Sequence, residues 1–255
     1  MQTGKSIGSK ILKLLPSAIT MLALCCGLSA IKFAILGEYV RAAHCIILSC
    51  LLDKVDGNVA RKLNASSEFG AQMDSLADFF DFGIAPGFIV YLWKMHEYED
   101  ITQISWVTVL VLAICMAIRL ARFNVSLVED DPDSPLNKYF FRGIPAPMAA
   151  ALVLLPMVLS FEYPDMNIST CAVITNTLLV SFMAGSTVPT PCFKKIKLKP
   201  AYEKISSMCI WIFIIGLIFN TWRAAIILCF LYIISIVISW FFYYDFYKTL
   251  NKKVK

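Results

Sequence analysis

Apolar residues in this chain come in long runs broken by short polar connections, without the strict alternation of a half-buried strand. Runs of roughly twenty apolar residues match the hydrocarbon thickness of a bilayer. The pattern predicts about eight transmembrane helices: Ser17–Leu36, Tyr39–Arg61, Phe69–Met95, Ser105–Phe123, Ile144–Phe161, Asn167–Val188, Ser206–Asn220 and Trp222–Tyr244. The seventh is short and the third long. Gly37-Glu38 closes the first hairpin, Glu97, Glu99 and Asp100 mark the third connection, and Glu129-Asp130-Asp131-Pro132-Asp133 forms an acidic turn after the fourth span. Gly83-Ile84-Ala85-Pro86-Gly87 interrupts the third run, where proline removes a backbone donor and predicts a kink. Such a kink serves either the wall of a pocket or helix packing. Ahead of the first span, Met1–Leu15 is basic and amphipathic, which predicts a retained N-terminal interfacial helix, not a signal peptide. The expected fold is therefore all-α: a polytopic integral membrane helix bundle, one membrane domain spanning residues 1–255.

Composition agrees. Hydrophobic residues make up 58% of the 255 residues and charged ones 16%, against about a quarter charged in soluble domains. A net charge of +5 raises the question of nucleic acid, but the basic residues gather in clusters. They are Lys5, Lys10 and Lys13, then Lys194, Lys195, Lys197, Lys199 and Lys204, then Lys248, Lys252, Lys253 and Lys255. Threading eight spans from a cytoplasmic N-terminus puts all of them on one side with Arg61, Lys62, Lys138 and Arg142, leaving little beyond Arg41, Lys94 and Arg223 opposite. That is the positive-inside distribution, so the partner is the lipid bilayer and no nucleic acid is expected. The nine cysteines include no C-x-x-C pair, so neither a disulfide framework nor a zinc site is signalled.

One region breaks the apolar pattern. Asp53-x-x-Asp56-Gly57-x-x-Ala60-Arg61 is followed by Gly70-x-x-x-Asp74-x-x-x-Asp78. Carboxylates at membrane depth are costly and call for a cationic partner. Spacings of three and four put each aspartate pair on one helix face, and the eight residues from Lys62 to Phe69 suit a tight antiparallel hairpin. In such a hairpin Asp53 lies level with Asp78 and Gly57 with Asp74. Hard oxygen ligands favour Mg²⁺ or Mn²⁺, so Asp53, Asp56 and Asp74 are the candidate metal ligands, with Asp78 a further ligand or a base. Small residues at Gly57, Ala60 and Gly70 leave room for a bound group or for close helix packing. Arg61 offers paired donors to a phosphate. Arg119 and Arg122, three apart near the end of the fourth span, either snorkel to the interface or form a cationic pocket for an anionic group.

The pattern D-x-x-D-G-x-x-A-R-x8-G-x-x-x-D-x-x-x-D resembles the signature of the CDP-alcohol phosphatidyltransferases, membrane enzymes of phospholipid synthesis. All eight of its fixed positions are present at the required spacing. Further stretches look like the phosphatidylserine synthase branch: Leu15-Pro16-Ser17-Ala18-Ile19-Thr20 with Gly27, Asp74 to Asp78 followed by Phe82-Gly83-Ile84-Ala85-Pro86, Arg119 to Asn124, and Gly143-Ile144-Pro145-Ala146-Pro147. The resemblance implies transfer of a phosphatidyl group from CDP-diacylglycerol to the hydroxyl of L-serine, with release of CMP. It further implies Asp78 as catalytic base, Asp53, Asp56, Asp74 and Asp78 around Mg²⁺ or Mn²⁺, and Gly57, Ala60, Arg61 and Gly70 against CDP-diacylglycerol. It implies a homodimer as well. Arg119 and Arg122 become candidates for the serine carboxylate or the lipid phosphate. Asp81 departs from relatives, which carry a small polar residue there; it faces either the acceptor's ammonium group or the Gly83 break. Two alternatives stay open: another acceptor alcohol (glycerol phosphate, inositol or choline), or an ion-coupled transporter, which also carries intramembrane carboxylates and a broken helix.

Overall fold

The computed structural model describes residues 3–63, 67–96, 102–129, 140–186, 189–191 and 220–253. Among them are seven helices: α1 Thr3–Ile35, α2 Tyr39–Lys62, α3 Glu68–Met95, α4 Thr102–Glu129, α5 Ala146–Glu162, α6 Thr170–Gly185 and α7 Thr221–Lys253. Four are long and apolar enough to cross a membrane, over Leu14–Ile35, Glu68–Met95, Gln103–Ser126 and Thr221–Ser239. Helices α5 and α6 are apolar but shorter, and α2 carries the charges of the signature. The protein is a membrane-embedded helical bundle. The predicted span Ser206–Asn220 lies outside the described residues, apart from Asn220. The N-terminal turns from Thr3 are helical and run without a break through Pro16 into α1, not as a separate helix.

Sequence chemistry explains the first hairpin. Helix α1 ends on Gly37 at φ 76°, a conformation that glycine adopts without penalty. Glu38 N donates to Phe33 O at 2.8 Å and Gly37 N to Ala34 O at 3.0 Å, which satisfies two of the terminal carbonyls. The chain then returns along α1. The buried face of α1 reads Thr20, Ala23, Gly27, Ala30 and Ala34, a stripe of small residues that lets α2 pack closely along it.

Helix α5 occupies the middle. It is buried nearly all round, from Ala149 to Val158, and packs on α2, α3, α6 and α7, as a helix without an amphipathic stripe must. Helices α1, α4 and α7 turn large apolar side chains outward, among them Leu22, Ile114 and Ile234, as lipid-facing surfaces do. A ribbon of three residues per strand, Phe140–Arg142 paired antiparallel with Pro189–Pro191, is a small addition to the all-α expectation. Gly143 follows it at φ 77°, and a Cβ there would stand 2.9 Å from the carbonyl oxygens of Ala184 and Ser186.

The expected kink in α3 takes another form. Backbone bonding shifts to π-helical register over Phe79–Ile84 and again over Tyr91–Met95, and Ala85 N donates to Phe80 O. The helix absorbs Pro86 without a break. Gly83 lies against Met116, and Gly87 against Val109 and Leu112, so these glycines serve the packing of α3 on α4 and not a pocket wall.

Candidate metal centre

The aspartates meet as the spacing predicts, although the helices that carry them do not form a tight hairpin. Helix α2 packs chiefly on α1, and so does the start of α3; α2 meets α3 over Phe79–Val90 and touches its Glu68–Asp78 part more sparsely, leaving that end more open. Within that opening, carboxylate oxygens of Asp53, Asp56 and Asp74 all lie within 4.8 Å of one another. Asp78 lies against Asp53, one turn deeper than Asp74. Among the described residues this is the one group of three metal-capable side chains.

Electrostatics here call for a cation. Asp56 is buried, at 3% exposure. Its Oδ2 accepts a hydrogen bond from Thr20 Oγ1 at 2.6 Å, while its Oδ1 has no partner. An unpaired carboxylate oxygen at that depth costs free energy unless something positive meets it. Neither Lys54 nor Arg61 forms an ion pair with these aspartates. Lys54 is exposed, and Arg61 donates to Asn58 Oδ1 at 2.8 Å on the exposed side of its own helix. The ion pairs among the described residues, Arg41–Glu38 and Arg223–Glu162, lie elsewhere. An all-oxygen set with one buried, unsatisfied donor atom fits a hard divalent cation.

The small residues divide in role. A Cβ on Gly57 would meet nothing within 4 Å, so this glycine packs against no neighbour and faces open space beside the aspartates. Gly70 instead belongs to the start of α3: its N–H is capped by Ser67 Oγ at 3.0 Å, and a Cβ there would come within 3.8 Å of Ser17 Oγ on α1. Ala60 is half-buried near the end of α2.

The arginines are partly committed to the scaffold. Arg119 Nε donates to Ile144 O, just ahead of α5. Arg122 Nη1 donates to Gly185 O at 2.6 Å, at the end of α6. Both tie α4 to its neighbours. Arg119 nevertheless keeps its terminal nitrogens free of hydrogen bonds to described residues, and it lies within electrostatic reach of Asp78. Arg122 is exposed. Next to them, Asn124 and Ser75 hydrogen-bond at 3.0 Å, fastening α4 to the α3 turn that carries Asp74.

Asp81 settles between helices. It is 1% exposed, Ser49 Oγ donates to its Oδ2 at 2.5 Å, and its Oδ1 presses on Gly27, where a Cβ would sit 2.0 Å away. It therefore does not face the Gly83 break. Ser49, Asp53 and Asp56 on α2 oppose Asp81, Asp78 and Asp74 on α3, three successive turns of one polar seam. Gly27→Ala should thus force Asp81 from its place. Overpacking of this kind typically costs about 1–3 kcal/mol, read as a lowered Tm in detergent, and Asp81→Ser in the same chain should restore most of it. An unchanged Tm for Gly27→Ala would contradict the contact.

The spacing of charged residues assigns no role to three contributors, Thr20, Ser49 and Gly27. The signal for Ser49 is its position four residues before Asp53 on the same helix face. For Thr20 and Gly27 it is their place in the apolar first span, at spacing that puts both on one face.

The opposite end of the bundle gathers Tyr39, whose hydroxyl donates to Leu92 O at 2.8 Å, His44 against Trp222 with ring centroids 4.6 Å apart, and the Arg223–Glu162 pair. The acidic site thus lies toward one end, with Arg61, Lys62 and Arg122.

Comparison with known proteins bears on this site directly. A protein from Mycobacterium bovis named CDP-diacylglycerol–serine O-phosphatidyltransferase is 39% identical over 155 residues, covering 60% of this chain and 52% of the relative. A Helicobacter pylori protein of the same name is 35% identical over 187 residues, 73% of this chain and 75% of the relative. One from Saccharomyces cerevisiae is 38% identical over 130 residues, 49% of this chain and 45% of the relative. The match spans about half the length of the mycobacterial and yeast proteins. The family model for CDP-alcohol phosphatidyltransferase matches residues 13–184, a stretch that holds α2, α3 and every aspartate of the cluster, and the chain belongs to that family.

Proposed function

We propose that this protein transfers the phosphatidyl group of CDP-diacylglycerol to the hydroxyl of L-serine, giving phosphatidylserine and CMP. The observation that carries the reading is the convergence of the Asp53, Asp56 and Asp74 oxygens within 4.8 Å, beside the uncovered backbone of Gly57. The relatives' shared name supports serine as the acceptor.

Asp53, Asp56 and Asp74, with Asp78 at the edge, would hold Mg²⁺ or Mn²⁺. Bound there, such an ion would supply positive charge to the diphosphate and to the leaving nucleotide. The chain's own residues do the rest. The gap between α2 and α3 admits the nucleotide against Gly57 and Ala60, and Arg61 swings from Asn58 to a phosphate. Asp78 takes the proton from the serine hydroxyl as its oxygen forms the bond to the diacylglycerol-bearing phosphorus and CMP departs. Arg119, with free terminal nitrogens near Asp78, is the better placed of the two arginines for the serine carboxylate. Gly70 acts through the α3 start, holding the turn that carries Asp74.

The remaining parts of the reading concern setting. One membrane domain crosses the bilayer about eight times, as a multi-pass protein with the basic ends and the active site toward the cytoplasm. Its first turns lie in the interface, and it works as a homodimer. The positive-inside charge distribution supports the orientation, and family resemblance supports the dimer.

Gly57→Leu should not lower Tm, because nothing lies within 4 Å of its Cβ position and leucine is the better helix former, yet it should block nucleotide binding. Retained CDP-diacylglycerol binding would remove the nucleotide from this gap. The deciding assay offers purified protein CDP-diacylglycerol with each labelled alcohol in turn and follows CMP release. Release with serine is expected; release with glycerol phosphate, inositol or choline instead would reassign the acceptor, and none with any alcohol would overturn transfer.

A further inference from the structure

We infer that Thr20, on α1, is a positioning residue for the metal centre: its hydroxyl occupies one oxygen of Asp56 and so fixes the other as the ligand. The inference rests on the metal reading above and adds a helix that supplies none of the carboxylates.

A carboxylate turns easily about its last torsion, whose wells are broad and two-fold. An unrestrained aspartate therefore offers either oxygen, or both, to a cation. Asp56 is not unrestrained. Thr20 Oγ1 lies 2.6 Å from Oδ2, both side chains are buried (5% and 3% exposed), and Oδ1 is left without a partner. The same hydroxyl stands 3.1 Å from Pro16 O. A hydroxyl has one proton to give, and the shorter, charge-assisted bond to the carboxylate takes it. Oδ1 then keeps all its lone pairs and is the oxygen better disposed toward an ion shared with Asp53 and Asp74.

The contact is specified by packing. The small-residue stripe of α1 brings α2 close enough for a short side chain to span the gap, and Thr20 lies on that same face as Ala23 and Gly27. β-Branching at Thr20 limits its χ1 to few wells, and the one adopted sets the hydroxyl between Pro16 O, at 3.1 Å, and Asp56. A plain interhelical hydrogen bond with no bearing on the metal is the competing account, and it predicts a different pattern of loss.

Thr20→Val keeps the shape and removes the hydroxyl, Thr20→Ser keeps the hydroxyl, and Thr20→Ala guards against a valine variant that does not fold. Mn²⁺ binding to each purified protein, without substrate, is read from the free-Mn²⁺ electron paramagnetic resonance signal, alongside Tm. Loss of a group that orients a metal ligand typically lowers affinity about ten- to a hundredfold. Thr20→Val and Thr20→Ala should raise the Mn²⁺ Kd by that factor, with Thr20→Ser close to wild type. The Mg²⁺ concentration for half-maximal CMP release should shift in parallel. A lowered Tm with an unchanged Mn²⁺ Kd would overturn the inference in favour of a structural bond, and so would failure of serine to rescue. Asp56→Asn is the control that separates the two readings. If it retains Mn²⁺ binding, the metal centre itself is wrong; if it loses binding while Thr20→Val does not, only the role of Thr20 falls.

Discussion

Asp56→Asn is expected to abolish phosphatidyl transfer while leaving the fold intact. The substitution is isosteric, and the amide satisfies Thr20 by turning its carbonyl oxygen to the hydroxyl that now bonds Oδ2. That orientation places the NH₂ group where Oδ1 stands, so a donor faces the cation. Asp53→Asn and Asp74→Asn lose a ligand by weaker means, since a neutral amide is a poor partner for a hard dication. Metal stabilisation of a developing charge is worth several kcal/mol, and each ~1.4 kcal/mol is a factor of ten. CMP release should therefore fall by at least about a thousandfold in each variant, and chelation of the wild type should mimic the loss until Mg²⁺ or Mn²⁺ is restored. Full activity in excess chelator would sink the metal assignment, as would an active Asp56→Asn.

Asp78→Asn should produce a second large loss of a different kind. Asp78 lies against Asp53, at the edge of the triad and in reach of Arg119, where an acceptor hydroxyl can meet it. General-base assistance is typically worth about a hundredfold to ten-thousandfold, and kcat should fall within that range. Affinity for CDP-diacylglycerol in the presence of metal should persist, because Asp53, Asp56 and Asp74 remain. Direct binding of the nucleotide lipid, measured beside turnover, separates the roles. If binding disappears together with turnover, Asp78 is chiefly a ligand and another group accepts the proton.

The acidic centre is legible in the amino-acid sequence because its information is local. Spacings of three and four residues fix which side chains share a helix face whatever the surroundings, and carboxylates amid apolar runs need a cation at any depth. Asp53 beside Asp78 follows from that spacing and a reversal of direction, whereas Asp74, expected level with Gly57, meets the neighbouring Asp56. The hairpin at Gly37 and most helix limits are legible for the same reason: length, apolar runs and turn chemistry act over a few residues. Relations between helices distant along the chain are not. Arg119 and Arg122 read as free cations, yet their first partners are the backbone carbonyls of Ile144 and Gly185, groups that every residue carries and that no pattern marks. Asp81 reads as facing either the acceptor's ammonium group or the Gly83 break, and its packing by a serine on α2 and a glycine on α1 is marked by neither pattern.

The sequence by itself determined a helical membrane protein, the helix face that each aspartate shares, and the oxygen-ligand chemistry those carboxylates offer. Tertiary structure decided that α2 leans on α1 and leaves a gap toward α3, which is why Gly57 is open and Gly27 is crowded. It decided too which oxygen of Asp56 is spoken for and which is free. Helical periodicity orients a side chain around its own axis, but only the packing of one helix on another sets what that side chain meets.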